Sequence, residues 1–226
     1  FALEVLAIGR LRLDALLPCV VAAVVADQVG LWWGVQHTPY VLGFVPQITP
    51  WLLAAMVLAG AVFGLTGKVF ADGTHALSGW MKKHIAYAPL RPLLGGAVIV
   101  AVVMWGSCDR YIGLGLPVMV EAFQRPLPAT DFLGKLVFTV ASLGSGFKGG
   151  EVTPLFYMGA TLGNALAPLL DVPFALLAAV GFVAVFAGAA NTPIASSLMA
   201  MELFGAEVGV FAALACVTSY VCSGHS

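Results

Sequence analysis

The chain has 226 residues, of which 61% are hydrophobic and only 9% are charged, and its mean hydropathy is +1.00. Soluble domains carry roughly 25% charged residues, so this composition excludes a soluble enzyme and a disordered chain. The net charge of −1 gives no electrostatic attraction to nucleic acid. Because lipid admits only helices or closed barrels, and the alternating pattern of a barrel is missing, we predict an all-α, polytopic membrane protein.

Residues 14–106 predict three long membrane helices. The first runs from Leu16 to Trp33, the second begins near Ile48 and continues toward Lys83, and the third runs from Leu90 to Trp105. Each apolar stretch is close to the ~20 residues that a membrane-crossing helix needs. Basic residues flank these helices on one side, which the positive-inside rule places in the cytoplasm. They are Arg10, Arg12, Lys82, Lys83 and Arg91.

Residues 107–226 predict shorter helices that glycine and proline interrupt. Pro154, Pro168, Pro173 and Pro193 cut this apolar stretch at short intervals. Broken helices at membrane depth are tolerated where their backbone is buried in protein or lines a cavity. We therefore expect the site in this half of a single transmembrane domain.

The strongest candidate site is a glycine-rich turn that leads into an apolar helix from Val152 to Leu169. Pro154 suits the first turn of that helix, where a missing N–H group costs nothing. Amides at a helix start lack partners and carry partial positive charge, which favours an anion. Glycine lets the backbone approach a small ion closely. The anion-binding candidates are Gly149, Gly150, Glu151, Val152 and Thr153; a capped helix after a glycine turn is the alternative.

Glu151 is the candidate for proton coupling. Ionisable groups at membrane depth are rare and usually functional, and this carboxylate is placed to accept a proton or to compete with an anion for the same amides. Its alternative role is that of a simple helix cap. A second constellation, Asn191-Thr192-Pro193, predicts another helix start, either as a cap alone or aimed at the transport path.

These residues resemble the CLC family of anion channels and proton-coupled antiporters. The run Gly149–Pro154 occupies the place of the family's Gly-Gly-x-Phe-x-Pro anion motif. The segment Phe1–Glu4 resembles the helix that ends the first repeat of that family, and Gly188–Glu202 resembles the paired helix of the second repeat. The resemblance implies a partial CLC-type inverted-repeat fold with discontinuous and re-entrant helices. In that fold, residues 1–13 form the end of a first-repeat helix and a cytoplasmic turn.

Departures from the chloride-type motif point to one clade of that family. Glu151 and Val152 stand where chloride-type members have an apolar residue and then Phe, and Val5 replaces a second Glu that often follows the position of Glu4. With Thr153, the run is similar to the fluoride/proton antiporter clade. That similarity implies that Glu151 and the Thr153 hydroxyl act at the ion site.

The resemblance implies proton-coupled fluoride export, with a chloride channel or a chloride/proton antiporter as the alternative. The implied partners are fluoride or chloride, protons, the lipid bilayer and a second copy in a homodimer; no nucleic acid, cofactor or metal is expected. The implied location is the cell membrane (the inner membrane, if bacterial) as a multi-pass protein. We also expect the chain to be a segment of a longer protein and not to transport alone.

Two other classes of protein fit the sequence less well than a secondary active transporter. An intramembrane enzyme that uses Glu151 and His225 would lack a nucleophile–base pair or paired metal ligands. A purely structural subunit would not need the polar, glycine-rich break at Leu143–Pro154.

Overall fold

The computed structural model describes residues 16–35, 40, 42–106 and 108–224. Every regular element in these ranges is helical, which confirms the all-α prediction. The α-helices are α1 (Leu16–Trp32), α2 (Pro50–His84), α3 (Leu90–Gly106), α4 (Leu116–Ala122), α5 (Asp131–Gly144), α6 (Val152–Leu170), α7 (Phe174–Ala190), α8 (Pro193–Phe204) and α9 (Gly209–Ser223). Short 3-10 turns cover Asp109–Tyr111 and Ala206–Val208. The predicted helix end and turn at 1–13, and His225, lie outside the described residues.

The first three helices begin and end within two residues of the predicted bounds, and α2 continues to His84. Thr49 caps α2 by accepting a hydrogen bond from the Leu52 amide (3.2 Å), and Pro50 begins the helix. α2, with 35 residues, and the 18-residue segment Ala206–Ser223 are long and apolar enough to cross a membrane. α1 and α3 have 17 residues each. How often the chain crosses the bilayer therefore stays a prediction.

The centre of the domain is α7, whose residues are buried continuously from Leu176 to Gly188. The helix is apolar all round, and a helix of this kind is stable only where other helices cover every face. α6, α2 and α9 provide most of that cover. This arrangement places α6, which begins at the candidate motif, directly against the centre of the fold.

The contact between α6 and α7 depends on small residues, as the sequence Gly159-Ala160…Gly163-Asn164 predicts. A Cβ atom at Gly159 would collide with the carbonyl oxygen of Gly181, and one at Gly163 with that of Leu177. Asn164 is buried, and its amide nitrogen donates to the carbonyl oxygens of Ala122 (2.7 Å) and Arg125 (2.9 Å). The position of α6 is thereby set from two sides.

The second half of the domain contains two short helices, α4 with 7 residues and α8 with 12. The predicted break at Pro168 is not observed, because α6 has 19 residues and continues through this proline. Another detail of the prediction is wrong. Asn191 ends α7 in the left-handed conformation (φ 56°) instead of starting α8, a role that asparagine fills because it tolerates this conformation. Thr192 occupies the N-cap position of α8, but its side chain makes no capping hydrogen bond.

Candidate anion site

The candidate motif lies at the point where the chain reverses between α5 and α6. α5 ends at Gly144, and Gly146 takes a positive φ of 97°, a conformation that favours glycine. Gly149, Gly150 and Glu151 are exposed, whereas the helix is buried from Tyr157 to Asn164. The start of α6 therefore emerges from the core with its first turn uncovered.

The backbone amides at this helix start are free to bind a ligand. The first helical hydrogen bond runs from the Leu155 amide to the Glu151 carbonyl oxygen (3.1 Å), and Pro154 has no N–H group. The amides from Gly149 to Thr153 form no hydrogen bond with another residue in the described ranges. Five adjacent donors with the positive end of the helix dipole behind them are suited to an anion.

Glu151 occupies the N-cap position of α6, but its carboxylate makes no capping hydrogen bond. The simple-cap alternative for this residue is therefore not observed. Thr153 is half-buried in the first turn, and its hydroxyl forms no hydrogen bond within the described part of the chain. The Glu151 carboxylate makes no capping hydrogen bond and the Thr153 hydroxyl makes none with a described residue. The roles of both side chains at an ion site stay predictions.

Two cavities flank this helix start. The larger, of about 630 Å³, is called the lysine cavity because Lys135 and Lys148 line it together with Gly149 and Gly150. The smaller, of about 230 Å³, is called the glutamate cavity because Glu151 lines it, together with His75 of α2. Among the described residues, no carboxylate lines the lysine cavity and no lysine or arginine lines the glutamate cavity.

Lys135, which is not part of any predicted motif, is 2% exposed in the first half of α5. Its ammonium donates hydrogen bonds to the carbonyl oxygens of Tyr111 (3.1 Å) and Gly113 (2.6 Å). The same nitrogen lies 5.1 Å from the centre of the Tyr157 ring, within the range of a cation–π interaction. The sequence did contain one signal for Lys135, since it is the only charged residue between Asp131 and Lys148.

Four other charged groups around α5 form ion pairs. Arg110 donates to the Asp131 carboxylate (2.8 Å) and to Glu121 (3.0 Å), and Arg125 forms a second ion pair with Glu121. Asp131 is 1% exposed, so the Arg110 partner is needed to keep its charge in the protein interior. This network joins α4, α5 and the 3-10 turn Asp109–Tyr111, which lies beside the lysine cavity.

The sequence also gave no reason to select His75, because this residue belongs to no motif and lies inside the long helix α2. It is exposed and lines the glutamate cavity, with Thr74 beside it. No local sequence pattern relates this position to Glu151, since the two residues come from different helices.

Apolar helices that break at a polar site, with uncommitted helix-start amides between two cavities, are typical of membrane transport proteins. The comparisons with known proteins agree with that class. The model of the voltage-gated chloride channel family matches residues 1–224, and the chain belongs to this family. The family is embedded in membranes, and its members are channels and transporters rather than enzymes, as the sequence predicts.

Individual relatives give the same result. The chain is 61% identical over 233 residues to a chloride/fluoride channel protein of Pseudomonas syringae pv. tomato, covering 100% of this chain and 51% of the relative. It is 31% identical to the voltage-gated ClC-type chloride channel ClcB of Yersinia pestis, covering 91% of this chain and 52% of that protein. The chain thus spans about half the length of these curated relatives.

A solved structure confirms the fold. The crystal structure of a CLC-type fluoride/proton antiporter superposes with a TM-score of 0.94 at 35% identity, over 99% of this chain and 57% of the other. The predicted partial CLC-type fold is therefore confirmed, and so is the resemblance drawn from the run Gly149–Pro154.

Proposed function

We propose that the intact protein transports a small anion across the cell membrane, and that it exports fluoride in exchange for protons. The observation that carries the proposal is the start of α6, where the amides from Gly149 to Thr153 have no partner in the described residues. An anion that enters the membrane must replace its water with other donors. Adjacent helix-start amides supply such donors without any rearrangement.

Fluoride is favoured by the two polar side chains in the first turn of α6. A small, strongly hydrated ion needs several close donors, and the uncommitted hydroxyl of Thr153 adds one to the amides. The name of the Pseudomonas syringae relative includes both chloride and fluoride, and the structural neighbour is a fluoride/proton antiporter. These names support fluoride as the substrate of this protein.

Proton coupling follows from the position of Glu151 at the same helix start. A charged carboxylate there repels an anion, whereas a protonated one donates a hydrogen bond to it. Anion occupancy and proton occupancy would then favour each other. Glu151 makes no capping hydrogen bond, so its carboxylate is not held by the first turn of α6.

The alternative is a chloride channel or chloride/proton antiporter of the same family. The chloride channel name of the Yersinia pestis relative favours it, and only Glu151 and Thr153 argue for fluoride within the motif. The two functions differ in selectivity and in coupling, so one assay separates them.

The deciding experiment is anion efflux from liposomes that contain the intact protein, with fluoride- and chloride-selective electrodes and an imposed pH gradient. We expect fluoride efflux to exceed chloride efflux and to run uphill when protons drive it. Chloride flux equal to or greater than fluoride flux would favour the alternative. Downhill flux that ignores the pH gradient would identify a channel.

We further propose that the protein is a homodimer that uses α1. The described side chains of α1 from Leu17 to Val29 are exposed although almost all are apolar, and an apolar helix face is covered either by lipid or by another helix. Cys19 is exposed on this helix and serves as a probe. In liposomes, a dimer contact predicts slower maleimide labelling at Cys19 than at a cysteine introduced at Val98 of α3, which is also exposed. Equal labelling would contradict the contact.

A further inference from the structure

We propose that the buried ammonium of Lys135 supplies the positive charge that draws the transported anion into the lysine cavity. This inference rests on the proposed anion transport and adds a residue outside the Gly149–Pro154 motif. The unusual feature is the burial of a lysine that is only 2% exposed. Burial of an ammonium group is strongly destabilising unless its charge is compensated.

The contacts of Lys135 occupy two of its three N–H donors without pairing its charge with a carboxylate. Its partners are the carbonyl oxygens of Tyr111 and Gly113 and the face of the Tyr157 ring, all of them neutral. An ammonium has three N–H donors, and the two carbonyl contacts orient it without supplying a negative charge. Lys135 therefore differs from Arg110, which is paired with carboxylates.

The nearby carboxylates are already occupied. Asp131 and Glu121 receive Arg110, and Glu121 also receives Arg125. Lys135 forms no ion pair with either carboxylate in the described structure. The ion-paired groups are two arginines and two carboxylates, and Lys135 stands outside these pairs at the wall of the cavity.

The position of this charge gives it a role in transport. Lys135 lines the same cavity as Gly149 and Gly150, whose amides have no partner in the described residues. Lys148 adds a second positive charge at the rim, and no described carboxylate lines the cavity. Cavities of one charge sign with low-dielectric walls concentrate the oppositely charged ligand. The lysine cavity is therefore built to raise the local concentration of an anion next to the helix start.

The competing explanation is that Lys135 only anchors the 111–113 loop to α5. Lys135→Gln separates anchoring from charge, because glutamine keeps an N–H donor for the carbonyl oxygens and loses the positive charge. Lys135→Arg keeps both the N–H donors and the positive charge. Lys82→Gln is the matched control, since it removes one positive charge from an exposed lysine that lines neither cavity.

The test measures initial efflux rates of fluoride and chloride against anion concentration for the intact protein in liposomes. In Lys135→Gln we expect the half-saturating concentration to rise about 15-fold, as for a unit charge acting over about 10 Å at an effective dielectric constant near 20. The maximal rate should be largely kept, Lys135→Arg should restore the wild-type value, and Lys82→Gln should not change it. An unchanged half-saturating concentration in Lys135→Gln, or an equal rise in Lys82→Gln, would overturn the inference.

A second variant keeps the inference testable if Lys135→Gln does not fold. Ser142→Asp adds a carboxylate to the wall of the lysine cavity and leaves the contacts of Lys135 in place. We expect its half-saturating concentration to rise at least as much, and no rise would count against the inference. If the wild-type protein transports neither anion, the proposed function itself is overturned. If the wild-type protein transports normally and the variants have the same half-saturating concentration, only the role of Lys135 is overturned.

Discussion

The two cavities at the start of α6 differ in charge although they adjoin the same helix turn. The lysine cavity has Lys135 and Lys148 in its wall, whereas the glutamate cavity has Glu151 and His75. Adjacent residues in the motif are divided between them, because Gly150 lines one cavity and Glu151 lines the other. One helix start thus separates a cavity lined by two lysines from a cavity lined by a glutamate and a histidine.

This division offers a physical route to coupling. In the proposed mechanism the anion approaches the helix-start amides from the lysine cavity, and the proton reaches Glu151 from the glutamate cavity. Because Gly150 and Glu151 are adjacent at this helix start, the charge on Glu151 would affect an anion bound at the amides. The following predictions test that division, from the largest expected effect to the smallest.

Glu151→Gln removes the carboxylate from the glutamate cavity while leaving the lysine cavity unchanged. We expect proton-driven uphill fluoride transport to fall about a hundredfold, the lower end of the effect of losing a proton-transferring group. Efflux from liposomes under a pH gradient measures it. Glu207→Gln, at an exposed carboxylate outside both cavities, is the control. Normal uphill transport in Glu151→Gln would remove this residue from the mechanism.

Gly159→Ala tests whether close packing of α6 on α7 holds the helix start between the cavities. The added methyl group would collide with the Gly181 carbonyl, and overpacking of this kind costs about 1–3 kcal/mol. Thermal unfolding of the intact protein in detergent should show a lower midpoint. Gly79→Ala, where a Cβ atom meets nothing within 4 Å, should unfold at or slightly above the wild-type temperature. The two midpoints being equal would contradict the packing argument.

Thr153→Val removes the hydroxyl from the first turn of α6 with little change in shape. A hydrogen bond to a charged group contributes about 1.5–3 kcal/mol, so the preference for fluoride over chloride should fall roughly tenfold or more. Thr153→Ser, which restores the hydroxyl, should restore the preference. Paired fluoride and chloride electrodes measure both fluxes in one experiment. If the valine variant keeps its selectivity, the amides alone distinguish the two ions.

His75→Gln tests whether the glutamate cavity passes protons to Glu151. Since His75 is exposed and other routes to the cavity stay open to water, we expect proton coupling to fall only about threefold, well below the full effect of losing a proton-transferring group. His84→Gln, at an exposed histidine of the same helix that lines neither cavity, is the matched control. Identical coupling in both variants would show that His75 takes no part.

Local sequence signals determined the elements and the motif. Apolar runs bounded by Pro50 and Pro193 set where α2 and α8 begin, and the Gly-Gly-Glu-Val-Thr-Pro run placed Glu151 at the start of α6. These features were predictable because glycine and proline restrict the backbone at their own positions. The exception is Asn191, which ends α7, since asparagine serves both as a helix start and as a left-handed helix end.

Only the tertiary structure decided which side chains surround the helix start. His75 and Glu151 come from α2 and α6, and Lys135 and Gly149 come from α5 and the following turn, yet each pair lines one cavity. Apolar periodicity tells which face of a helix is buried, but it does not tell which distant helix covers that face. The contacts of α6 with α7, α5 and α2 made that choice here, and they place the Gly149–Pro154 run between two cavities of different charge.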